Sequence, residues 1–492
     1  MSKAESVMPK KLYISVSPGE TRTALRNGDQ LYALELERHA APSIIGNIYL
    51  GRVQNVTNGL QAAFVDIGCD RPAFLALPEA RPANLSPEKS DRIGDYLKEG
   101  DDVIVQILRD SIAEKGPKLT SHINLPGRFV VFLPGDDRVY LSRQLNDDDS
   151  KRLQSLIEAH TNKDEGFIIR TAAESASDEQ ILQEIATLKE HWGHIEKSIK
   201  DRKPPFCLLK DEPAMIKLIR NHADHRLSEI IIDDPVKCSE VRTYCEMNFP
   251  QLIDSISLHT KHASLFDYHG IEDEIEAALS ATIELTNGAT LTIEETAALT
   301  AIDIDMAKHS SSGRFEDNAF EANTSAIEEI VRQIRLRKIG GHIVIDVIPM
   351  KKPANRDRLL STLRSLFQDD PVRTFIAGYT RLGKIEFSRE RKQKSLSELL
   401  LAGITTRDPI QRPKSSTAIA FEALRRVLQE LKANPGESFE LQAHPSIVAS
   451  LQSGVAEQGL QEFNDMNGEP LTLIKRPDFF IDQFEVVPKS RT

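Results

Sequence analysis

Asp303 and Asp305 sit in the stretch TAIDIDMA, residues 300–307, where they alternate with Ile302 and Ile304. A strand sends successive side chains to opposite faces, so both isoleucines can pack inward while both aspartates share the other surface. A further acid, Asp346, interrupts the short apolar run HIVIDVIPM at 342–350. A carboxylate in an apolar strand must find a cation, a hydrogen-bond donor or a raised pKa. A hard divalent ion such as Mg²⁺ is one solution, because it accepts one or two carboxylates, keeps several waters and takes its remaining ligands from substrate phosphate. Bound that way, it can polarise a phosphodiester, orient an attacking water and stabilise charge on the leaving oxygen. The plainer alternative is that Asp303 and Asp346 pair with Arg or Lys, or cap a neighbouring backbone.

The elements around these acids follow from periodicity. Residues 283–306 read as two strands joined by the turn TNGA, the second of them carrying Asp303. In 317–341, Ala326, Ile330, Ile334 and Ile339 recur at helical spacing and a Gly-Gly pair supplies the stop. The run at 342–350 then reads as a buried strand. This strand-helix-strand succession can place Asp303 and Asp346 at neighbouring strand ends. A helix over 355–367 and strands over 373–388 follow.

Upstream, KLYISVS and DQLYALELER within 11–38 read as two strands joined by the charged stretch PGETRTALRNG. Residues 46–77 are rich in β-branched and aromatic residues and are broken by Asn58-Gly59, a strong hairpin signal. With another strand at 101–110, this pattern suggests a small barrel of the OB type, in which Phe64 and Phe74 serve equally well as core or as base-stacking platforms. More strands are expected within 119–145, a charged helix at 148–163, a strand at 166–173, a helix at 178–201 containing Trp192, a strand at 229–233 and a helix at 270–280. Residues 402–416 have the Pro, Ser and Thr content of a linker, and a small α/β domain follows to about 489.

Composition bounds these readings. At 492 residues the chain is too long for one core, and roughly three or four domains are expected. Hydrophobic content of 40% and charged content of 28% are those of a soluble globular protein. The N-terminal segment has no apolar signal-peptide core, and no apolar run approaches the roughly 18 residues of a membrane span, so a cytoplasmic location is expected. Cys69, Cys207, Cys238 and Cys245 lack C-x-x-C spacing, which argues for reduced, mostly buried thiols. The net charge of −12 does not advertise nucleic-acid binding, yet VRQIRLRK at 331–338 and SRERKQK at 388–394 are candidate phosphate-contacting runs, with solvated helix faces as the alternative.

Five blocks, GNIYLGRVQNVTNGLQAAFVDIG, KGPKLTSHINLPGRFVVFLP, LFDYHGIEDEIEAAL, ALTAIDIDMA and NTSAIEEIVRQIRLRKIGGHIVIDVIPM, together resemble the ribonuclease E/G family of bacterial endoribonucleases. They occur in the family's order and span most of residues 10–400. The resemblance implies a multidomain α/β protein with an RNase H-like subdomain (1–38 and 215–278), an inserted OB-fold RNA-binding barrel (39–120), a 5′-end sensor region (121–214), a DNase I-like catalytic subdomain (279–400), a linker (401–416) and a small α/β domain (417–489). It further implies Mg²⁺-dependent hydrolysis of single-stranded RNA leaving 5′-phosphate ends, with Mn²⁺ able to substitute, and roles in rRNA processing and mRNA decay. Asp303 and Asp346 match the metal-binding aspartates, Phe64, Phe74 and Lys115 the RNA-binding residues of the barrel, and Arg170, Thr171 and Arg373 the pocket for a 5′-monophosphate.

The chain also departs from the family pattern. Asp305 stands where the family usually has Asn, Ala297 where it has Glu and Pro349 where it has Asp. Asp305 is therefore a possible third metal ligand, while the losses at 297 and 349 offset its charge near the metal. Residues 401–415 contain no Cys, so zinc is not expected, and a dimer or tetramer would form through the small domain without a metal link. A long tail that recruits degradosome partners is not expected either. The alternative to the enzyme is an RNA-binding relative that cleaves poorly.

Overall fold

The computed structural model describes residues 8–85, 88, 91–112, 115–142, 145–223, 226–306, 315–368, 370–403 and 412–489. The chain forms two compact units, one of Met1–Pro42 with His225–Thr492 and one of Ser43–Asp224.

Among the described residues the first unit contains three sheets. In the first, Ile256–Leu258, Leu227–Ile232 and Lys10–Ser17 run parallel, and Glu20–Asn27 and Gln30–Arg38 continue the order antiparallel. The stretch expected to be a charged connection thus contains a full strand, Glu20–Asn27. Its charges are neutralised internally: Arg22 pairs with Glu272 and lies over the Phe266 ring, and Arg26 pairs with Glu274. A charged segment whose partners lie some 250 positions away reads as a loop in the sequence and folds as a buried strand.

The second sheet carries the acids, in the order Thr282–Glu284, Thr290–Glu295, Leu299–Asp305, Gly341–Asp346, Ile385–Arg389, Thr374–Tyr379. Where two strands are expected over 283–306, three form, because the segment turns back a second time at Thr296, whose N–H and hydroxyl both bond the Leu299 carbonyl. One face is apolar. Leu291, Ile293, Ile302, Ile304, Ile343, Ile345, Ile385 and Phe387 pack on the helices Phe315–Leu336 and Pro353–Leu366. The helical stripe expected from Ala326, Ile330 and Ile334 is fully buried in that core.

Beyond 416 a three-stranded sheet, Thr472–Lys475, Phe439–Ala443, Phe484–Pro488, packs against the helices Ser416–Ala433, Pro445–Leu451 and Val455–Asn467. Of the expected linker, residues 404–411 lie outside the described residues.

In the second unit, Ile48–Thr57, Ala62–Asp66, Ala73–Ala76, Lys118–Thr120 and Asp102–Arg109 close into a five-stranded barrel, with Phe206–Leu209 added beside Ile48–Thr57. The hairpin at Asn58-Gly59 forms as expected, and the barrel fits an OB-like domain. Gly51 permits closure: a Cβ there would meet Val65 Cγ1 at 2.5 Å. The remaining sheet, Val139–Leu141, Glu165–Ile169, Val130–Pro134, Leu125–Pro126, packs with the helices Asp147–Glu158 and Asp178–Ile199.

Two polar side chains of the helix Phe315–Leu336 fix the backbone that leaves Asp346. Buried Asn323 donates to the Ile348 carbonyl at 2.8 Å and accepts from its N–H at 3.0 Å. Glu316 accepts from the Lys351 and Lys352 N–H groups at 2.8 and 2.9 Å, which holds its carboxyl below the usual range. Removing the buried amide strands two backbone groups, so Asn323→Leu is expected to lower stability by about 2–3 kcal/mol in urea denaturation. Native-like stability in that variant would show that the clamp is dispensable.

Candidate active site

The strands Leu299–Asp305 and Gly341–Asp346 are parallel neighbours, and their register sets Asp303 directly opposite Asp346. Adjacent strands lie about 4.8 Å apart, so the two carboxylates rise side by side from the face that the helices leave open. Thr292 flanks Asp303 on its other side. Asp305 stands two residues further along the same face, opposite Thr290, and both Asp303 and Asp305 are exposed. Isoleucine burial accounts for this arrangement: with Ile302, Ile304, Ile343 and Ile345 inside, a period of two sends every aspartate out.

The Asp303 carboxylate has no hydrogen bond or ion pair among the described residues, whereas Asp346 Oδ2 accepts from the Lys384 ammonium. Lys384 directly precedes Ile385, the register partner of Ile345, so its side chain joins the same row across the sheet. Nothing near Asp346 in the sequence announces it. Among the described residues no group of three or more His, Cys, Asp and Glu is gathered to hold a metal. A cation here would rest on two carboxylates, with water and substrate oxygens completing its shell. That donor set is hard, acidic and small in number, which fits Mg²⁺.

The departures from the family pattern are not equally placed. Pro349 is exposed three residues past Asp346, but Ala297 lies in the turn before Leu299. About 13 Å of strand separates Leu299 from Asp303, so the side chain at 297 does not offset charge near the acids as expected.

In the barrel, Phe64 and Phe74 are register partners on adjacent strands, with ring centroids 5.9 Å apart and planes at 69°. Both are half-buried. Phe74 in turn pairs with Lys118, and Lys118 with Arg109, so two aromatic rings and two cations form one row. The sequence reading missed Lys118 and Arg109, whose membership depends on strand pairing alone. Lys115 is exposed where its backbone pairs with Ile112.

Arg170 donates to the Gly127 carbonyl at 2.7 Å and to Asn221 Oδ1 at 2.8 Å, and burial pushes its guanidinium pKa down. The Thr171 hydroxyl lies 3.0 Å from that of Ser142. Arg373 is exposed at the start of Thr374–Tyr379 and belongs to the other unit.

Most cations of the basic runs are internally paired, while Lys394 of the second run is exposed. Arg332 pairs with Glu329, Arg335 donates to the Leu366 carbonyl, Lys338 pairs with Glu35, and Arg337 is buried against Gln333. In the second run, Arg389 is buried on Asp370 and the Ile339 carbonyl, and Arg391 pairs with Glu398. These cations tie helices, strands and loops together and are neither phosphate-ready nor simply solvated. Of the cysteines, Cys238 and Cys245 are buried, and burial pushes the Cys245 thiol up to about 11.

A model of the Ribonuclease E/G family matches residues 124–392. Ribonuclease G of Salmonella typhimurium (strain SL1344) is 30% identical over 488 residues, covering 98% of this chain and 100% of that protein. Ribonuclease G of Escherichia coli (strain K12) shows the same identity and coverage. Ribonuclease E of Escherichia coli (strain K12) is 35% identical over 398 residues, 80% of this chain and 38% of that longer protein.

Like charges directly opposite on neighbouring strands destabilise a sheet. Asp303→Asn is therefore expected to raise stability by about 0.5 kcal/mol in EDTA, read as a higher melting temperature. A lower melting temperature would mean that Asp303 holds a structural partner.

Proposed function

The chain belongs to the ribonuclease E/G family, and from that membership we propose that it is an endoribonuclease of RNA processing whose hydrolytic centre is the pair Asp303 and Asp346. The observation that carries this reading is their in-register placement on adjacent parallel strands of an open sheet face. Asp303 and Asp346 would hold a Mg²⁺ ion, for which Mn²⁺ can substitute, with Asp305 two residues further along the same face and outside the pair. When bound, such an ion polarises a phosphodiester and lowers the pKa of water, giving hydrolysis that leaves a 5′-phosphate. The sheet keeps both carboxylates at fixed spacing, and the Asn323 and Glu316 contacts hold the chain that follows Asp346.

The barrel would grip single-stranded RNA. Phe64 and Phe74 offer ring faces and edges to unpaired bases, while Arg109, Lys115 and Lys118, the last only loosely paired to Glu79 at 3.9 Å, suit the phosphates. In the finer family scheme, the sheet containing Lys10–Ser17 is the RNase H-like subdomain, the acid-bearing sheet the DNase I-like subdomain, and Arg170 with Thr171 the contact for a 5′-monophosphate. The small domain beyond 416 would mediate self-association without zinc, in the cytoplasm.

One observation favours a second reading, a protein that binds RNA and cleaves it weakly: the Lys384 ammonium lies on Asp346. A 5′-monophosphorylated fluorescent oligonucleotide incubated with Mg²⁺ separates the two. Asp303→Ala and Asp346→Ala are each expected to slow cleavage by about two to three orders of magnitude, with RNA affinity retained. Equal product from native and Asp346→Ala chains would sink the acid-pair chemistry, and tight binding without product by the native chain would favour the binding protein. In the same assay, Phe64→Ala or Phe74→Ala should weaken RNA binding by about 1–3 kcal/mol, measured by fluorescence anisotropy; unchanged affinity would return both rings to the core.

A further inference from the structure

Lys384 is built into the acid row. Its backbone is pinned in a turn: Thr380 N–H donates to the Lys384 carbonyl at 2.7 Å, Lys384 N–H donates to Thr380 Oγ1 at 3.2 Å, and Gly383 supplies the left-handed residue at φ 84°. From that anchored start the side chain reaches Asp346 Oδ2. Its register beside Ile385 leaves the ammonium on the open face, next to the paired carboxylates and away from the apolar core.

Three charges therefore share one short row. Asp303 and Asp346 repel each other, and one ammonium relieves that repulsion from the Asp346 side only. Both members of the ion pair keep over a third of their side-chain surface exposed, so water screens the attraction and the lysine stem can move without unpacking anything. A divalent ion shared by Asp303 and Asp346 would draw on the same Asp346 carboxylate whose Oδ2 Lys384 now holds. It would also meet a positive charge tethered at close range.

We propose that Lys384 is a tethered competitor for the divalent cation at Asp346, and that it raises the ion concentration the centre needs. The inference rests on the metal reading of Asp303 and Asp346. Because the turn pins the lysine backbone, a displaced ammonium stays within reach of Asp346 and competes at every ion concentration. Lys384 thus sets a threshold for loading the centre and also keeps the bare acid pair from repelling at full strength.

The test is Mn²⁺ binding to the full chain without RNA, followed by electron paramagnetic resonance of the free ion. Lys384→Met removes the charge and keeps the length of the stem; it should bind Mn²⁺ roughly five- to ten-fold more tightly than the native chain. Lys384→Arg keeps the charge and should stay within about two-fold of native. Asp346→Asn should lose the site. Lys384→Gln, checked by circular dichroism, provides the same readout should the Met variant fold poorly. Unchanged or weaker binding in the Met and Gln variants, with the site still lost in Asp346→Asn, would overturn the role of Lys384 and leave the metal reading standing. Equally weak binding by native and Asp346→Asn chains would overturn both.

Discussion

Two carboxylates held opposite each other on adjacent parallel strands are the constraint on which the second half of the molecule turns. The register that pairs Asp303 with Asp346 is locked from beneath, since Ile302, Ile304, Ile343 and Ile345 are all buried. A slip of one residue would bury the acids and expose the isoleucines. Parallel pairing also demands a crossover, and the helix Phe315–Leu336 supplies it. Its apolar stripe fills the core under the sheet, while Asn323 and Glu316 on the same helix secure the chain beyond Asp346. One helix thereby sets the strand connection, the packing and the exit path of the second acid.

That economy explains what the sequence makes legible. Period-two alternation around Asp303, helical spacing from Ala326 to Ile334 and the apolar run to Asp346 are local patterns, and the structure realises each. Partnerships set by strand pairing are not local. Lys384 reaches Asp346 across 38 positions, Lys118 joins Phe74 only through a parallel bridge, and the strand Glu20–Asn27 looks like a loop until Glu272 and Glu274 arrive to neutralise its arginines. Ala297 fails in the opposite way: it is close to Asp303 in sequence and distant along the strand.

The same distinction governs the positive charge. A run of basic residues shows where cations are, but their use depends on what lies opposite. Arg335, Arg337, Lys338 and Arg389 are spent on carbonyls and carboxylates of their own fold. Lys115 and Arg373, which stand alone in the sequence, are exposed, as is Lys394 at the end of the second run. The overall charge of −12 is thus a poor guide to where a polyanion could bind. What matters is the few cations that internal pairing leaves over.

On the proposed reading, affinity and chemistry are assigned to different surfaces. A base stacked on Phe64 or Phe74 is held the same way before and during the reaction, so this contact binds substrate and transition state alike. The acid pair acts on charge that develops only as the phosphodiester breaks. Neither surface reads the edges of bases: a ring accepts any base, and a carboxylate-bound cation meets only phosphate and water. Selectivity then has to come from strandedness, because a duplex hides the base faces that the aromatic row needs. A centre of this kind suits cleavage at many unpaired sites better than recognition of one sequence.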